Sequence, residues 1–378
     1  MNIRLFKPCV GEEELTNIKE VFRRAWLGLG PFVEEFEKKW SSYIGAEESI
    51  GVNSCTAALH LALKAYKFKT GLKVLVPAIT FVSTAHAVLY NGLEPIFIDV
   101  DPTTFTMSIE DMQKKYSKDC VAIMPVHYGG QPCKMEEIVA FAIDKNLKII
   151  EDCANCAGGE YNGKKLGMWG DIGCFSFEEK KNMTTGDGGM ISSNDYDLIA
   201  PLRADRWVGI DKDTWKRLKT NVESVNDPMH WYYEVSILGF KYNMNDLMAA
   251  IGLAQLNKLD RMNLKRSEII GQYIDGIKDC KTIKPGFPYA LDKSAYWLFM
   301  IRTQNRDKLI VFLKNKGIAT GVHFMPLPLH PLYKHYDIDI EVAKSVWQEF
   351  VTLPLFPELT VEEINFVIES LREFDLCQ

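Results

Sequence analysis

Two adjacent lysines, Lys180 and Lys181, lie in a polar loop that follows an apolar segment at residues 172–177. The apolar segment is predicted to be a β-strand. Upstream, a second strand-like run ends in the acidic pair Glu151 and Asp152. A carboxylate and a lysine at the ends of neighbouring strands fit a pyridoxal phosphate site, where the lysine forms a Schiff base and the carboxylate pairs with the pyridinium nitrogen. We therefore take Lys181 as the candidate centre of such a site.

Small polar residues follow another predicted strand. Residues 50–52 lead through Ser54, Cys55 and Thr56 directly into the predicted helix 57–66. This arrangement presents free amides and hydroxyls at the positive end of a helix, which suits phosphate binding. An ordinary helix N-cap by Ser54 or Thr56 is the alternative, and these residues taken alone slightly favour it.

Apolar runs alternate with helical stretches between residues 50 and 152. Such alternation predicts a parallel sheet covered by helices on both faces. Ligands of such sheets lie at the carboxyl ends of the strands. Three candidate segments fall at such ends, at residues 54–56, 79–81 and 152–155. We therefore expect them to meet at one edge of the sheet.

The chain of 378 residues is too long for one ordinary core and favours one large and one small domain. We predict that residues 1–245 form the large, cofactor-binding domain, with an N-terminal helical segment, and residues 246–378 the small C-terminal α/β domain. Asn245 is predicted to cap the helix that leaves the large domain. Residues 210–229 are expected to be exposed.

The overall composition is that of an average globular protein, with 47% hydrophobic and 25% charged residues. A net charge of −6, spread along the chain, argues against a nucleic-acid or anionic-membrane partner. The N-terminal residues show no secretory pattern, and no run approaches the roughly 18–20 apolar residues of a membrane span. Nine cysteines lie mostly in apolar segments, as buried thiols do in a reducing compartment, so we expect a cytoplasmic protein. Cys153 and Cys156 have the C-x-x-C spacing but lack a second pair for zinc, and no metal is expected.

A series of sequence blocks, in a fixed order along nearly the whole chain, resembles one known family. The blocks are residues 11–14 (GEEE), 26–31 (WLGLGP), 53–59 (NSCTAAL), 77–84 (PAITFVST), 125–132 (PVHYGGQP), 151–152 (ED), 175–177 (FSF), 181–182 (KN), 239–244 (GFKYNM), 321–324 (GVHF) and 353–355 (LPL). They resemble the DegT/DnrJ/EryC1/StrS family of sugar aminotransferases, a branch of the fold type I pyridoxal-phosphate enzymes. The resemblance implies an α/β fold, with a mostly parallel seven-stranded sheet between helices in the large domain and a smaller C-terminal α/β domain.

The resemblance also implies roles for individual residues. Lys181 is implied as the Schiff-base lysine, because the family places that lysine immediately before an Asn, and Asp152 as the partner of the pyridine nitrogen. Together with these two, the implied cofactor-binding residues are Ser54, Cys55, Thr56, Phe81, Asn155, Ser176 and Asn243. Phe81 resembles the aromatic residue that stacks on the ring, and Asn155 stands near the 3-hydroxyl, where the family often has Gln. Asn243 resembles a residue donated by the other subunit of a homodimer.

Substrate-binding roles are implied for Trp26, Gly28 and His323, although a core role for His323 stays equally open. The implied reaction moves an amino group from L-glutamate or glutamine to the cofactor. The resulting pyridoxamine phosphate then aminates a keto group of a nucleotide-linked deoxysugar, for surface polysaccharide or glycoconjugate biosynthesis. The presence of Lys181 favours transamination over the sugar dehydratases of the family, which carry His there. An aminotransferase for a keto-inositol or a small phosphorylated ketone, and a non-catalytic regulator, remain as alternatives.

Overall fold

The computed structural model describes residues 1–210, 231–291, 295–336 and 339–377. The segment 210–229, expected to be exposed, lies outside the described residues apart from residue 210. The helices are α1 (Glu12–Arg23), α2 (Pro31–Ile44), α3 (Cys55–Ala65), α4 (Val82–Tyr90), α5 (Ile109–Lys115), α6 (Met135–Lys145), α7 (Tyr196–Ile199), α8 (Leu202–Asp205), α9 (Asp246–Ile277), α10 (Arg306–Asn315), α11 (Glu341–Val346) and α12 (Val361–Leu376). The strands are β1 (Glu48–Val52), β2 (Lys73–Pro77), β3 (Glu94–Ile98), β4 (Cys120–Ile123), β5 (Lys148–Asp152), β6 (Glu160–Tyr161), β7 (Lys164–Lys165), β8 (Ile172–Ser176), β9 (Gly189–Ser193), β10 (Lys284–Pro285), β11 (Phe299–Arg302) and β12 (Phe350–Leu353). Short 3₁₀ helices occur at Tyr128–Gly130, Leu327–Leu329, Pro331–Tyr333 and Trp347–Glu349.

The larger sheet of the described chain has seven strands in the order β1-β9-β8-β5-β4-β2-β3. Neighbouring strands from β8 to β3 pair in parallel. Strand β9 pairs antiparallel with both β8 and β1, so β1 runs in the same direction as the parallel strands. The predicted mostly parallel seven-stranded sheet is therefore confirmed.

Both faces of this sheet are covered, as the alternation of residues along β2 illustrates. Val74 and Val76 are buried in one cluster with residues of α3 and α4. Leu75 lies between them in sequence and is buried in a second cluster with Met112 of α5 and Ile138 of α6. Successive side chains of a strand point to opposite faces, so a strand covered on both sides is apolar throughout.

The C-terminal part contains a second, antiparallel sheet in the order β10-β11-β12. Helix α9 begins against α1 and α2, and its later residues Ile270 and Tyr273 enter the core that surrounds the small sheet. Ile3 of the N-terminal segment belongs to the same core and forms a parallel bridge with Ile318. The domain boundary at residue 245 stays a prediction. None of the helices in the described ranges combines the length and apolar character needed to span a membrane.

Asp246, the first residue of α9, connects that helix to the loop before α2. Its backbone N–H donates to the carbonyl oxygen of Gly28 at 2.8 Å. Its carboxylate Oδ1 accepts the N–H of Val33, in the first turn of α2, at 3.1 Å. Burial raises the pKa of Asp246 to about 6, although the backbone N–H groups of Val33, Phe32 and Gly30 favour its ionised form.

We expect Asp246→Asn to change how stability depends on pH. The folded-state pKa lies above the ordinary value of about 3.9, so the folded protein binds a proton that the unfolded chain has already lost between pH 4 and pH 6. Stability due to this group therefore falls as the pH rises through that window. Relative to wild type, the variant should gain up to about 3 kcal/mol in free energy of unfolding between pH 4 and pH 7, measured by urea unfolding. The exposed Asp275 of the same helix offers the control Asp275→Asn, and equal pH profiles for wild type and Asp246→Asn would contradict the expectation.

Candidate active site

A cavity of about 840 Å³ opens at the carboxyl ends of the parallel strands. The residues of the sequence-predicted site that line it are Ser54, Cys55, Thr56, Phe81, Asp152, Asn155, Ser176, Lys181 and His323. Residues distant in the sequence meet here because strands β1, β2, β5 and β8 all end at this edge. The structure thus brings the three candidate segments of the sheet together with the lysine loop.

The N-terminus of α3 forms one wall. Ser54 is its N-cap, and Ser54 Oγ accepts the N–H of Ala57 at 3.1 Å. The hydroxyls of Thr56 and Ser83 are 2.7 Å apart and both residues line the cavity. A Cβ on Gly189 would come within 2.6 Å of the backbone of Ser54, so glycine allows β9 to approach the helix end. The N-cap interpretation is correct, and the same helix end with its hydroxyls suits a phosphate group.

Asp152 lies at the end of β5 and is only 4% exposed. Its Oδ2 accepts the hydroxyl of Thr84 at 2.8 Å and its Oδ1 accepts the N–H of Ala154 at 3.1 Å. Burial raises the pKa of Asp152, while these hydrogen bonds and Lys181 oppose the rise. A buried carboxylate of this kind is stabilised by a cationic partner, such as a protonated pyridine nitrogen.

The two adjacent lysines differ in environment. Lys181 points inward, and its Nζ lies 3.8 Å from the centroid of the Trp297 ring. Burial lowers the pKa of Lys181, against the opposing effects of Cys55 and Asp152. The side chain of Lys180 is 54% exposed. Of the two amines, that of Lys181 is therefore the one placed to react inside the cavity.

Two further residues are placed to contact the ring of a flat ligand, Phe81 through its aromatic face and Asn155 through a hydrogen bond. Phe81 is 56% exposed even though it lines the cavity, and its ring centroid lies 5.9 Å from that of Phe324. The side-chain oxygen Oδ1 of Asn155 is buried and has no hydrogen-bond partner among the described residues. Buried polar atoms normally have partners, so Asn155 is suited to a ligand that carries a donor. A lysine, a carboxylate, an exposed aromatic face and a phosphate-binding helix end together fit pyridoxal phosphate.

Three predicted site residues lie outside this cavity. Trp26 and Gly28 line a separate depression beside Trp207. Asn243 Oδ1 accepts a hydrogen bond from Lys241 Nζ at 2.7 Å. The role that the resemblance implies for Asn243, in the site of the other subunit, stays a prediction. A substrate role for Trp26 and Gly28 likewise stays a prediction.

Sequence reasoning missed Trp297 and Thr84. The repeated hydroxyls after β2 were an available signal for Thr84, because Thr80 and Thr84 are one helical turn apart and their hydroxyls are 2.8 Å apart. Trp297 had no such signal, since it precedes β11 in the C-terminal part and reaches the cavity only through the tertiary fold.

The C-x-x-C pair lies beside His127, and the three ligand atoms are within 4.8 Å of one another. Both nitrogens of His127 are already used, since Nδ1 accepts the N–H of Cys133 at 3.2 Å and Nε2 pairs with a carboxylate oxygen of Glu151 at 2.9 Å. Burial raises the pKa of Cys153 and of Cys156. This imidazole is thus held by two hydrogen bonds, and both thiols are buried beside it.

Residues 8–372 match the family model described as the DegT/DnrJ/EryC1/StrS aminotransferase family. The chain belongs to this family. It is 34% identical to the spore coat polysaccharide biosynthesis protein SpsC of Bacillus subtilis, over 97% of this chain and 95% of that protein. As a member of the DegT/DnrJ/EryC1/StrS family, it is a pyridoxal-phosphate-dependent aminotransferase.

Solved structures of similar proteins agree with this membership. The aminotransferase TlmJ of Streptoalloteichus hindustanus matches with a TM-score of 0.91 and 29% identity, over 100% of this chain and 99% of that one. A putative sugar aminotransferase of Streptococcus pneumoniae, Spr1654 in its pyridoxamine-phosphate form, matches with a TM-score of 0.92 and 26% identity, over 99% of both chains. The predicted fold type I architecture is thus confirmed, and the cavity is the candidate active site of a sugar aminotransferase.

Proposed function

We propose that this enzyme transfers an amino group from L-glutamate or glutamine to a keto group of a nucleotide-linked deoxysugar. The observation that carries the proposal is the inward-facing Lys181, in one cavity with Asp152 and the N-terminus of α3, in a chain of the sugar aminotransferase family. The similarity to SpsC supports a place in the biosynthesis of a surface polysaccharide or glycoconjugate. The enzyme would act in the cytoplasm, where its nine free thiols stay reduced.

We assign different roles in this reaction to residues at different positions in the cavity. Bound pyridoxal phosphate supplies an electron sink that stabilises negative charge on the substrate carbon. Ser54, Thr56 and Ser176 would hold the phosphate, and Asp152, oriented by Thr84, would keep the pyridine nitrogen protonated. The amine of Lys181, when it is not attached to the cofactor, would act as the base that takes up the proton lost from the substrate carbon, and as the acid that returns it.

The proposed active form is a homodimer with shared sites. Asn243 would reach the phosphate of the other subunit, and Trp26 and Gly28 would complete the substrate pocket across the interface. Exposed apolar side chains on the same chain support such a contact, including Leu238 at 87% and Val235 at 63% exposure.

An isotope experiment tests the reaction and its acceptor class. The purified enzyme is given ¹⁵N-labelled glutamate or amide-labelled glutamine, together with nucleotide-linked keto-deoxysugars, a keto-inositol and small phosphorylated ketones. We expect the label in an aminated nucleotide sugar. Label in the keto-inositol or in a phosphorylated ketone alone would instead identify the non-nucleotide aminotransferase. A cofactor absorbance spectrum that does not change on adding either donor would identify a non-catalytic regulator.

A further inference from the structure

The indole ring of Trp297 forms the surface on which the Lys181 amine rests. The distance from Lys181 Nζ to the ring centroid is 3.8 Å. Trp297 is 4% exposed and lines the cavity. A cation over a desolvated indole face is attracted by the negative charge of that face, and tryptophan is the strongest such partner among the aromatic residues.

Three contacts fix the orientation of this ring. Its Nε1 donates a hydrogen bond to the backbone carbonyl oxygen of Lys180 at 2.7 Å. Phe6 stacks on it with 5.3 Å between ring centroids and 7° between planes. The His323 ring approaches it at 5.4 Å and 73°. The indole is therefore tied to the loop that carries Lys181 and held by aromatic neighbours from two other segments.

The free amine of Lys181 needs such a surface. Its side chain has four rotatable bonds and is therefore flexible. Burial lowers the pKa of Lys181 and so favours the neutral amine. The titratable or charged groups that face it are Cys55 of α3, Asp152 of β5, Glu178 and Lys180 of its own loop, and His323. His323 is neutral near pH 7, because burial lowers its pKa to about 4.

We propose that Trp297 is a positioning residue that holds the proton-loaded Lys181 ammonium whenever this lysine is not bonded to the cofactor. After Lys181 Nζ takes the proton from the substrate carbon, the resulting ammonium lies over the indole face until it donates that proton. The ring thereby restricts the flexible side chain and stabilises the form that burial disfavours. This inference rests on the proposed role of Lys181 as the proton carrier.

Labelling of Lys181 tests the inference without reference to turnover. The protein is loaded with pyridoxamine phosphate, which leaves Lys181 free, and is labelled with trace acetic anhydride across a pH series. Mass spectrometry of the Lys181 peptide then gives the pKa of its amine. We expect the pKa to fall by about one unit in Trp297→Met, which removes the aromatic face, and by less in Trp297→Phe.

The matched control is Trp347→Met, because the Trp347 ring faces a different cation, the Arg306 guanidinium carbon at 5.1 Å. This variant should leave the Lys181 pKa unchanged. A Lys181 pKa in Trp297→Met at or above the wild-type value overturns the proposal. If Trp297→Met does not fold, Trp297→Phe is compared with wild type instead. A Lys181 pKa in Trp297→Phe at or above the wild-type value then overturns the proposal.

Kinetics provide the second readout. We expect Trp297→Met to lower kcat about tenfold while the KM for the amino donor stays within about twofold, with most of kcat restored in Trp297→Phe. An unchanged Lys181 pKa refutes the positioning role and leaves the aminotransferase function intact. The function itself fails only if the amino group is not transferred at all by the wild-type enzyme.

Discussion

Replacing Lys181 with alanine is expected to abolish turnover and leave pyridoxamine phosphate bound without a covalent link. The variant loses both the amine that attaches the cofactor and the base that moves the proton. Proton transfer by a positioned side chain alone contributes up to about 10⁴-fold, so we expect kcat to fall by about that factor or more. The measurement is the rate of ¹⁵N transfer from the amino donor, with bound cofactor quantified by absorbance.

The neighbouring lysine provides the matched control, because Lys180→Ala removes an amine from the same loop. Borohydride reduction followed by peptide mass spectrometry should place the cofactor on Lys181 in wild type and in Lys180→Ala. Covalent attachment at Lys180, or near-normal turnover in Lys181→Ala, would make the central assignment wrong. The half-exposed side chain of Lys180 and the buried amine of Lys181 are the physical basis for expecting otherwise.

The sequence predicted the part of the site that follows from strand order. Asp152 and Lys181 follow strands that are neighbours in the sheet, β5 and β8, and Ser54 follows β1 at the same edge. Apolar runs with polar ends carry that information locally, because the carboxyl ends of parallel strands share one edge.

Contacts that depend on tertiary packing could not be predicted in this way. Phe6 and Trp297 lie far apart in the sequence, yet they stack on each other in the cavity wall. The segment 320–325 forms an isolated bridge between Gly321 and Thr352 and then places His323 in the cavity wall. No periodic pattern of residues in the sequence predicts either arrangement, because both arise where the C-terminal part packs over the edge of the sheet.

Trp26 and Asn243, two residues with predicted site roles, lie outside the cavity of their own chain. Both belong to sequence blocks of the family, but in a single chain they face other surroundings, Trp26 beside Trp207 and Asn243 beside Lys241. A residue that serves a neighbouring subunit leaves no local signal of that role. The proposed homodimer is a condition for the prediction on Asn243, and its test is whether an Asn243→Ala chain regains activity when mixed with Lys181→Ala chains.

Asp152→Asn is expected to reduce kcat by about three orders of magnitude or more, equivalent to about 4 kcal/mol. The amide has nearly the shape of the carboxylate and can still accept the N–H of Ala154, so the local structure is retained. What it lacks is the negative charge that, in the proposed site, keeps the pyridine nitrogen protonated. Without that proton the ring is a weaker electron sink, and the loss should fall on the proton-transfer step, measured as a slower single-turnover reaction with the amino donor.

A second variant separates the effect of the Asp152 charge from the effect of the orientation of its carboxylate. Thr84→Val removes the hydroxyl that donates to Asp152 Oδ2 at 2.8 Å but leaves the carboxylate in place. A hydrogen bond to a charged group contributes about 1.5–3 kcal/mol, so we expect a loss of roughly 10- to 100-fold, well short of that in Asp152→Asn. Both variants should keep the oligomeric state of the wild type and bind the cofactor. Equal losses in the two variants would mean that position and not charge governs the reaction, whereas normal turnover in Asp152→Asn would remove Asp152 from the catalytic site, because a buried carboxylate that pairs with the cofactor cannot be neutralised without effect.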